Sequence, residues 1–195
     1  MMACRKIKFT VMRKYIRQYV ISLLILVPFC FYGQKYGTQS GVVKFEASVP
    51  SFEEVAAQNK TVSALLNTDS GDIAALVLMK GFRFKVALME EHFNESYAET
   101  NKYHKAVLKG KLEGFNFSSL TSGPKDYIIN GELTMHGRTK KIKETAQVYK
   151  LGDKIIVSGN FILTPSEFGI DIPKLVSKKV AEKVNVSYSF TLGQQ

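Results

Sequence analysis

The strictest constraint lies near the C-terminus, where Val184, Val186, Tyr188, Phe190 and Leu192 alternate with Asn185, Ser187, Ser189 and Thr191. A two-residue period puts five large apolar side chains on one face of a strand and the polar ones on the other. At ~1.5–3 kcal/mol each, burying that face is worth roughly 7–15 kcal/mol gross, before entropy is charged against it. Such a face has to be covered, and the chain repeats the pattern. It recurs at Ile129, Gly131, Leu133 and Met135; at Ile142, Ala146 and Val148; and at Ile155, Val157, Gly159, Phe161 and Leu163. Further candidate strands run from Val42 to Ser48, Thr61 to Thr68, Asp72 to Met79 and Ala106 to Gly114. Turn-forming residues separate them at 67–72, 121–126, His136-Gly137 and Gly152-Asp153. About eight strands joined by short turns predict an all-β fold, a closed antiparallel eight-stranded barrel, because an open sheet of that size leaves two edges to protect.

One segment has a different period. Val86, Met89, Phe93 and Tyr97 are spaced as on a helix, with Glu90, Glu91, Asn94, Glu95 and Glu99 on the other sides. The spacing predicts a short amphipathic helix across one barrel end. A second short helix or turn is expected around Ile172 to Lys179, with Pro173 at its first position.

The first 34 residues read as a separate, removable piece. An apolar run of twelve residues, Val20 to Phe31, follows basic residues and precedes Tyr32, Gly33 and Gln34. That is the pattern of a secretory signal peptide, with cleavage near Gly33 or Gln34. The run is well short of the ~20 residues a membrane-spanning helix needs, and Pro28 interrupts it. Met12, followed by Arg13 and Lys14, is an alternative start to Met1. The expected division is therefore a signal peptide over 1–34 and one barrel domain over 35–195, in a periplasmic or secreted protein. The formal charge of +10 would suggest nucleic acid, but six of the 27 basic residues leave with the signal. The remaining 21 stand against 17 acidic residues, net about +4, and nucleic acid drops out as a partner. Both cysteines, Cys4 and Cys30, leave too, so neither disulfides nor thiol chemistry are expected in the mature protein.

Residues that could carry catalysis are sparse. His92, His104 and His136 are the only histidines, and no Gly-x-Ser-x-Gly or phosphate-cradling glycine loop is present. Glu91, His92 and Glu95 could be assembled into a metal site, and Glu90 or Glu91 could work with His104 in acid–base chemistry. An acid-rich solvated helix face accounts for both, and no metal or cofactor is called for. Basic residues at Arg138, Lys140, Lys141 and Lys143, and at Lys174, Lys178, Lys179 and Lys183, could meet anionic head groups in a transient membrane-surface contact, or could be solvated strand ends. An eight-stranded barrel interior is either filled by side chains or holds one slender ligand. Small inward residues at Gly131, Ala146 and Gly159 leave room, or else they interdigitate with large ones.

Three segments in register carry a resemblance. They are Gly131 to Lys140 (GELTMHGRTK), Phe161 to Ile170 (FILTPSEFGI), and the stretch from His92-Phe93-Asn94 to Tyr103-His104 and on to Gly110. Together they resemble the YceI-like family of exported bacterial proteins, across most of residues 41–192. Arg138 and His104 depart from that family's usual pattern. The resemblance implies a lipocalin-like barrel whose interior takes a long isoprenoid or other amphiphilic lipid, in the periplasm, without catalysis. Each buried methylene gains ~0.8 kcal/mol, so a hydrocarbon chain is retained without a polar anchor.

The residues expected to line such a cavity, assigned from alternation, are Phe82, Phe84, Phe93, Leu133, Met135, Phe161, Val186, Tyr188 and Phe190. The leading reading is a carrier, storage or sequestering protein for an isoprenoid or fatty-acyl lipid. Two other readings stand beside it: a periplasmic enzyme with His104 or His136 at the barrel mouth, and an envelope protein-interaction module built on a filled barrel. A homodimer is left open.

Overall fold

The computed structural model describes residues 34–49, 54–172 and 180–195. The expected signal segment, apart from Gln34, and the expected helix at 172–179, apart from Ile172, lie outside the described residues. The strands are β1 (Lys35–Ser48), β2 (Ala56–Asn67), β3 (Asp72–Leu78), β4 (Arg83–Phe84), β5 (Lys105–Leu112), β6 (Lys125–Met135), β7 (Arg138–Leu151), β8 (Lys154–Leu163) and β9 (Val180–Gln194). All their pairings are antiparallel. Each long strand is bonded to its neighbours in sequence, and β1 pairs with both β2 and β9. The eight long strands thus close into an up-and-down, lipocalin-like barrel, with β4 added to the start of β2 through Ala57↔Phe84.

Local chemistry explains the connections. His136 and Gly137 both have positive φ, 50° and 74°, which is the two-residue turn whose twist matches the flanking strands of a hairpin. Between β2 and β3, the Asn67 side chain accepts from the amides of Asp69 (2.9 Å) and Ser70 (3.3 Å). The polar Asn59 is fully buried at a register irregularity in β2. Its Nδ2 donates to the Leu78 carbonyl (2.9 Å) and its Oδ1 accepts from the Thr61 amide and hydroxyl, so the bulge carries no unsatisfied group.

The helix α1 covers Ala87–His92 and passes into a wider π turn over Phe93–Tyr97, closed by Ala98 N–H to the Phe93 carbonyl (2.8 Å). In a regular helix, residues four apart drift around the axis; the wider turn brings Phe93 and Tyr97 back into line toward the barrel. The expected helix over Val86–Tyr97 is present, and Val86 itself is the extended residue that precedes it.

The barrel is asymmetric along its axis. At the end that carries the 67–72 and 113–124 connections, Leu66, Leu112, Val148, Ile155, Val157 and Leu192 are essentially inaccessible and fill the interior. Tyr36 against Phe117 (5.8 Å between ring centres) and Phe115 against Tyr127 (5.6 Å) add aromatic contacts there. At the end covered by α1 the wall is looser. The β7–β8 ladder runs only from Leu151↔Lys154 to Ala146↔Gly159, so β7 and β8 part beyond that level.

Candidate functional site

A cavity of about 430 Å³ occupies the α1 end of the barrel, a size in the range of small-molecule sites. All nine residues singled out from the alternation line it: Phe82, Phe84, Phe93, Leu133, Met135, Phe161, Val186, Tyr188 and Phe190. Phe190, only 2% exposed, sits where the hollow meets the filled end.

Sequence reasoning missed part of the wall. On β1, Val43, Phe45 and Ala47 alternate inward, a signal that was available in the Val42–Ser48 strand. Phe45 joins Phe82, Phe84 and Phe93 in a four-ring collar, with ring centres 5.2–5.6 Å apart. Such pairs add ~0.5–1.5 kcal/mol each beyond burial, so the collar is a stiff part of the wall. The room comes from different small residues than expected. Gly159 is covered by the Tyr188 phenol, Ala146 is buried without lining the cavity, and Gly131 faces Gly110 across the β5–β6 ladder. Ala75 and Ala106 on the opposite wall leave the space.

The wall is almost wholly apolar, and among the described residues its lining includes no Lys or Arg. Glu144 of β7 is the acidic exception. Burial raises its carboxyl above the ordinary carboxylate range. Across β8, burial first and the Glu144 charge second push the Tyr188 hydroxyl up to about 12. The Oη of Tyr188 is buried with no hydrogen-bond partner among the described residues.

The acid-rich segment holds structure together. Glu90 accepts from Arg83 Nη1 and from the Phe84 amide, both at 3.1 Å, tying α1 to β4. Lys85 pairs with Glu54 across the same rim. Glu91, His92 and Glu95 are exposed, with only His92 reaching the cavity lining.

The remaining histidines bond to the scaffold. His136 bonds through Nδ1 to the Phe168 carbonyl (3.1 Å) and through Nε2 to Glu99 (2.9 Å), beneath the Tyr103 ring at 4.0 Å between centres. It joins the β6–β7 turn, the segment after α1 and the loop after β8 at one point. His104 Nδ1 donates to the Thr100 carbonyl (2.8 Å).

The barrel and its cavity have counterparts among solved structures. A polyisoprenoid binding domain from Saccharophagus degradans, implicated in plant cell wall breakdown, superposes with a TM-score of 0.71 at 12% identity, covering 84% of this chain and 99% of that one. BcnA of Burkholderia cenocepacia gives 0.65 at 15% identity, over 78% of this chain and 96% of its own. The YceI protein of Campylobacter jejuni gives 0.59 at 15% identity, over 75% and 88%. At such identities the likeness shows the fold. Comparison with curated protein sequences gave no match. The family model described as the YceI-like domain matches residues 35–192, and the chain belongs to that family.

Proposed function

We propose that the protein is an exported, periplasmic carrier or sequestering protein that binds an isoprenoid or fatty-acyl lipid in the hollow end of its barrel. The observation that carries this reading is the continuous apolar cavity, walled by the phenylalanine collar and bounded by the packed half. A polyisoprenoid binding domain with the same fold gives further support. Burial of methylenes against such a wall supplies affinity at ~0.8 kcal/mol each, without any reacting group. Binding without catalysis is the reading that the histidines support, since both ring nitrogens of His136 are engaged by structural partners. An interaction module built on a filled barrel is disfavoured by the hollow itself. Export rests on the basic segment and apolar run within residues 1–34.

Native mass spectrometry of protein purified from its host, followed by organic extraction, is the test. A mass above that of the apoprotein and an extractable lipid are expected; an apo mass with an empty extract would remove the carrier reading. N-terminal sequencing of the same material is expected to start near Gly33 or Gln34.

A further inference from the structure

Besides His92 and Tyr97 of the covering segment, two polar side chains interrupt the strand wall, and they come from strands on either side of β8. Tyr188 of β9 stands directly opposite Gly159 of β8, which stands opposite Ala146 of β7. A β-carbon at Gly159 would lie 2.5 Å from Tyr188 Oη and 2.9 Å from the Thr145 carbonyl oxygen. The phenol therefore crosses the glycine toward β7 near the Thr145 carbonyl, one residue along the strand from Glu144, whose charge it feels. This is the level at which the β7–β8 ladder stops and the wall opens. Tyr188 is 8% exposed and its Oη has no partner, and Glu144 makes neither a hydrogen bond nor an ion pair among the described residues.

A hydrocarbon in the site would leave the buried Tyr188 hydroxyl unsatisfied, the costly arrangement for a polar atom, and would cover the half-buried Glu144 carboxylate without giving it a partner. A phosphate or carboxylate would face the like charge of Glu144, and among the described residues the lining offers it no Lys or Arg, only the exposed His92 of α1. A donor resolves both problems. We propose that the cavity selects lipids bearing a hydrogen-bond donor, a hydroxyl or an ammonium on an apolar chain, which donates to the Glu144 carboxylate with the Tyr188 hydroxyl as its second partner. The proposal rests on the carrier reading and adds to it the chemistry of the head group and its place inside the barrel.

The test is calorimetric titration of the delipidated full chain with geranylgeraniol, geranylgeranylamine, geranylgeranyl phosphate and the matching hydrocarbon phytane. The alcohol and the amine are expected to bind about tenfold or more tighter than the phosphate and phytane. Glu144→Gln keeps an acceptor and loses the charge, so it should retain the alcohol and weaken the amine by about tenfold or more. Glu144→Leu should bring the alcohol and amine down to the level of phytane while leaving phytane binding intact. Tyr188→Phe, which keeps the ring, should weaken the alcohol and the amine and leave phytane unchanged. Phosphate binding as tight as the alcohol, or a Glu144→Leu protein that still prefers the alcohol to phytane, would overturn the head-group assignment and leave the carrier reading standing. If none of the four probes binds, the isoprenoid form of the carrier reading fails and takes this one with it.

Discussion

At the level of single residues, Tyr188 and Glu144 make the fold sensitive to pH in a defined direction. The Tyr188 hydroxyl, ordinarily at 10.0, is pushed up to about 12 by burial and by Glu144. The folded chain therefore keeps that proton longer than the unfolded chain does, and the associated stability is lost as pH rises from 10.0 toward 12. Absorbance titration of the phenolates should show one late tyrosine that disappears in Tyr188→Phe and moves down in Glu144→Gln. Glu144 behaves likewise at lower pH. Its stability contribution is complete below the ordinary carboxylate range and falls as pH rises through the raised value. Urea midpoints between about pH 4 and pH 7 should decline in the wild type and flatten in Glu144→Gln. Gly159 has a steric role in the same place. Gly159→Ala should cost about 1–3 kcal/mol by driving the phenol off its seat, and Tyr188→Leu in the same chain should recover much of it, measured by denaturant unfolding.

At the level of elements, the covering segment is held at its rim by few polar contacts. Glu90 serves both the Arg83 ion pair and the Phe84 amide, and the Arg83 side chain is 68% exposed. Exposed pairs of this kind contribute ~0–1 kcal/mol. Glu90→Ala should therefore barely move the melting temperature while raising hydrogen exchange at the Phe84 amide; equal exchange would show that the aromatic collar alone fixes β4. How much of these elements could be read in advance depended on phase. β6 to β8 and the Val184–Leu192 part of β9 keep a two-residue period and were legible to within a few residues, while a register shift between Val180 and Asn185 breaks the start of β9. β1 starts at Lys35, earlier than the expected Val42, because register shifts near Gly41 break its alternation. β2 starts at Ala56, not Thr61, because the buried Asn59 interrupts the apolar pattern. β4 is two residues long and leaves no period to detect. Glu144 lies in phase with Ile142, Ala146 and Val148 and was passed over because it is charged. Its position in that series was a signal for the most polar point of the site.

Across the whole molecule the two ends of the barrel divide the work. At the packed end Leu192, Leu112 and Ile155 are fully buried, while Leu163 and Phe161 face the hollow half-buried. Truncation costs follow how completely a site is filled. Leu192→Ala is expected to lose about 2–5 kcal/mol, and Leu163→Ala about 1 kcal/mol or less, because one opens a new void and the other widens an existing one. Chemical unfolding of both variants checks the contrast, and equal losses would mean that the two ends share a single core. Six of the nine residues picked from alternation, those on β6, β8 and β9, lie on the wall because the strand phases were right together; Phe82, Phe84 and Phe93 reach it from the stretch around the short β4 and from the covering segment. The mixed interior was not legible, since no periodicity says which of two inward-facing levels meets an alanine across the barrel and which meets a leucine.

The division between a solid end and a vacant one bears on how the protein would trade its cargo. A shell whose cohesion resides in one half keeps its shape when the other half is empty. On the carrier reading proposed above, the unloaded form is then a durable species that needs no ligand to hold its barrel together.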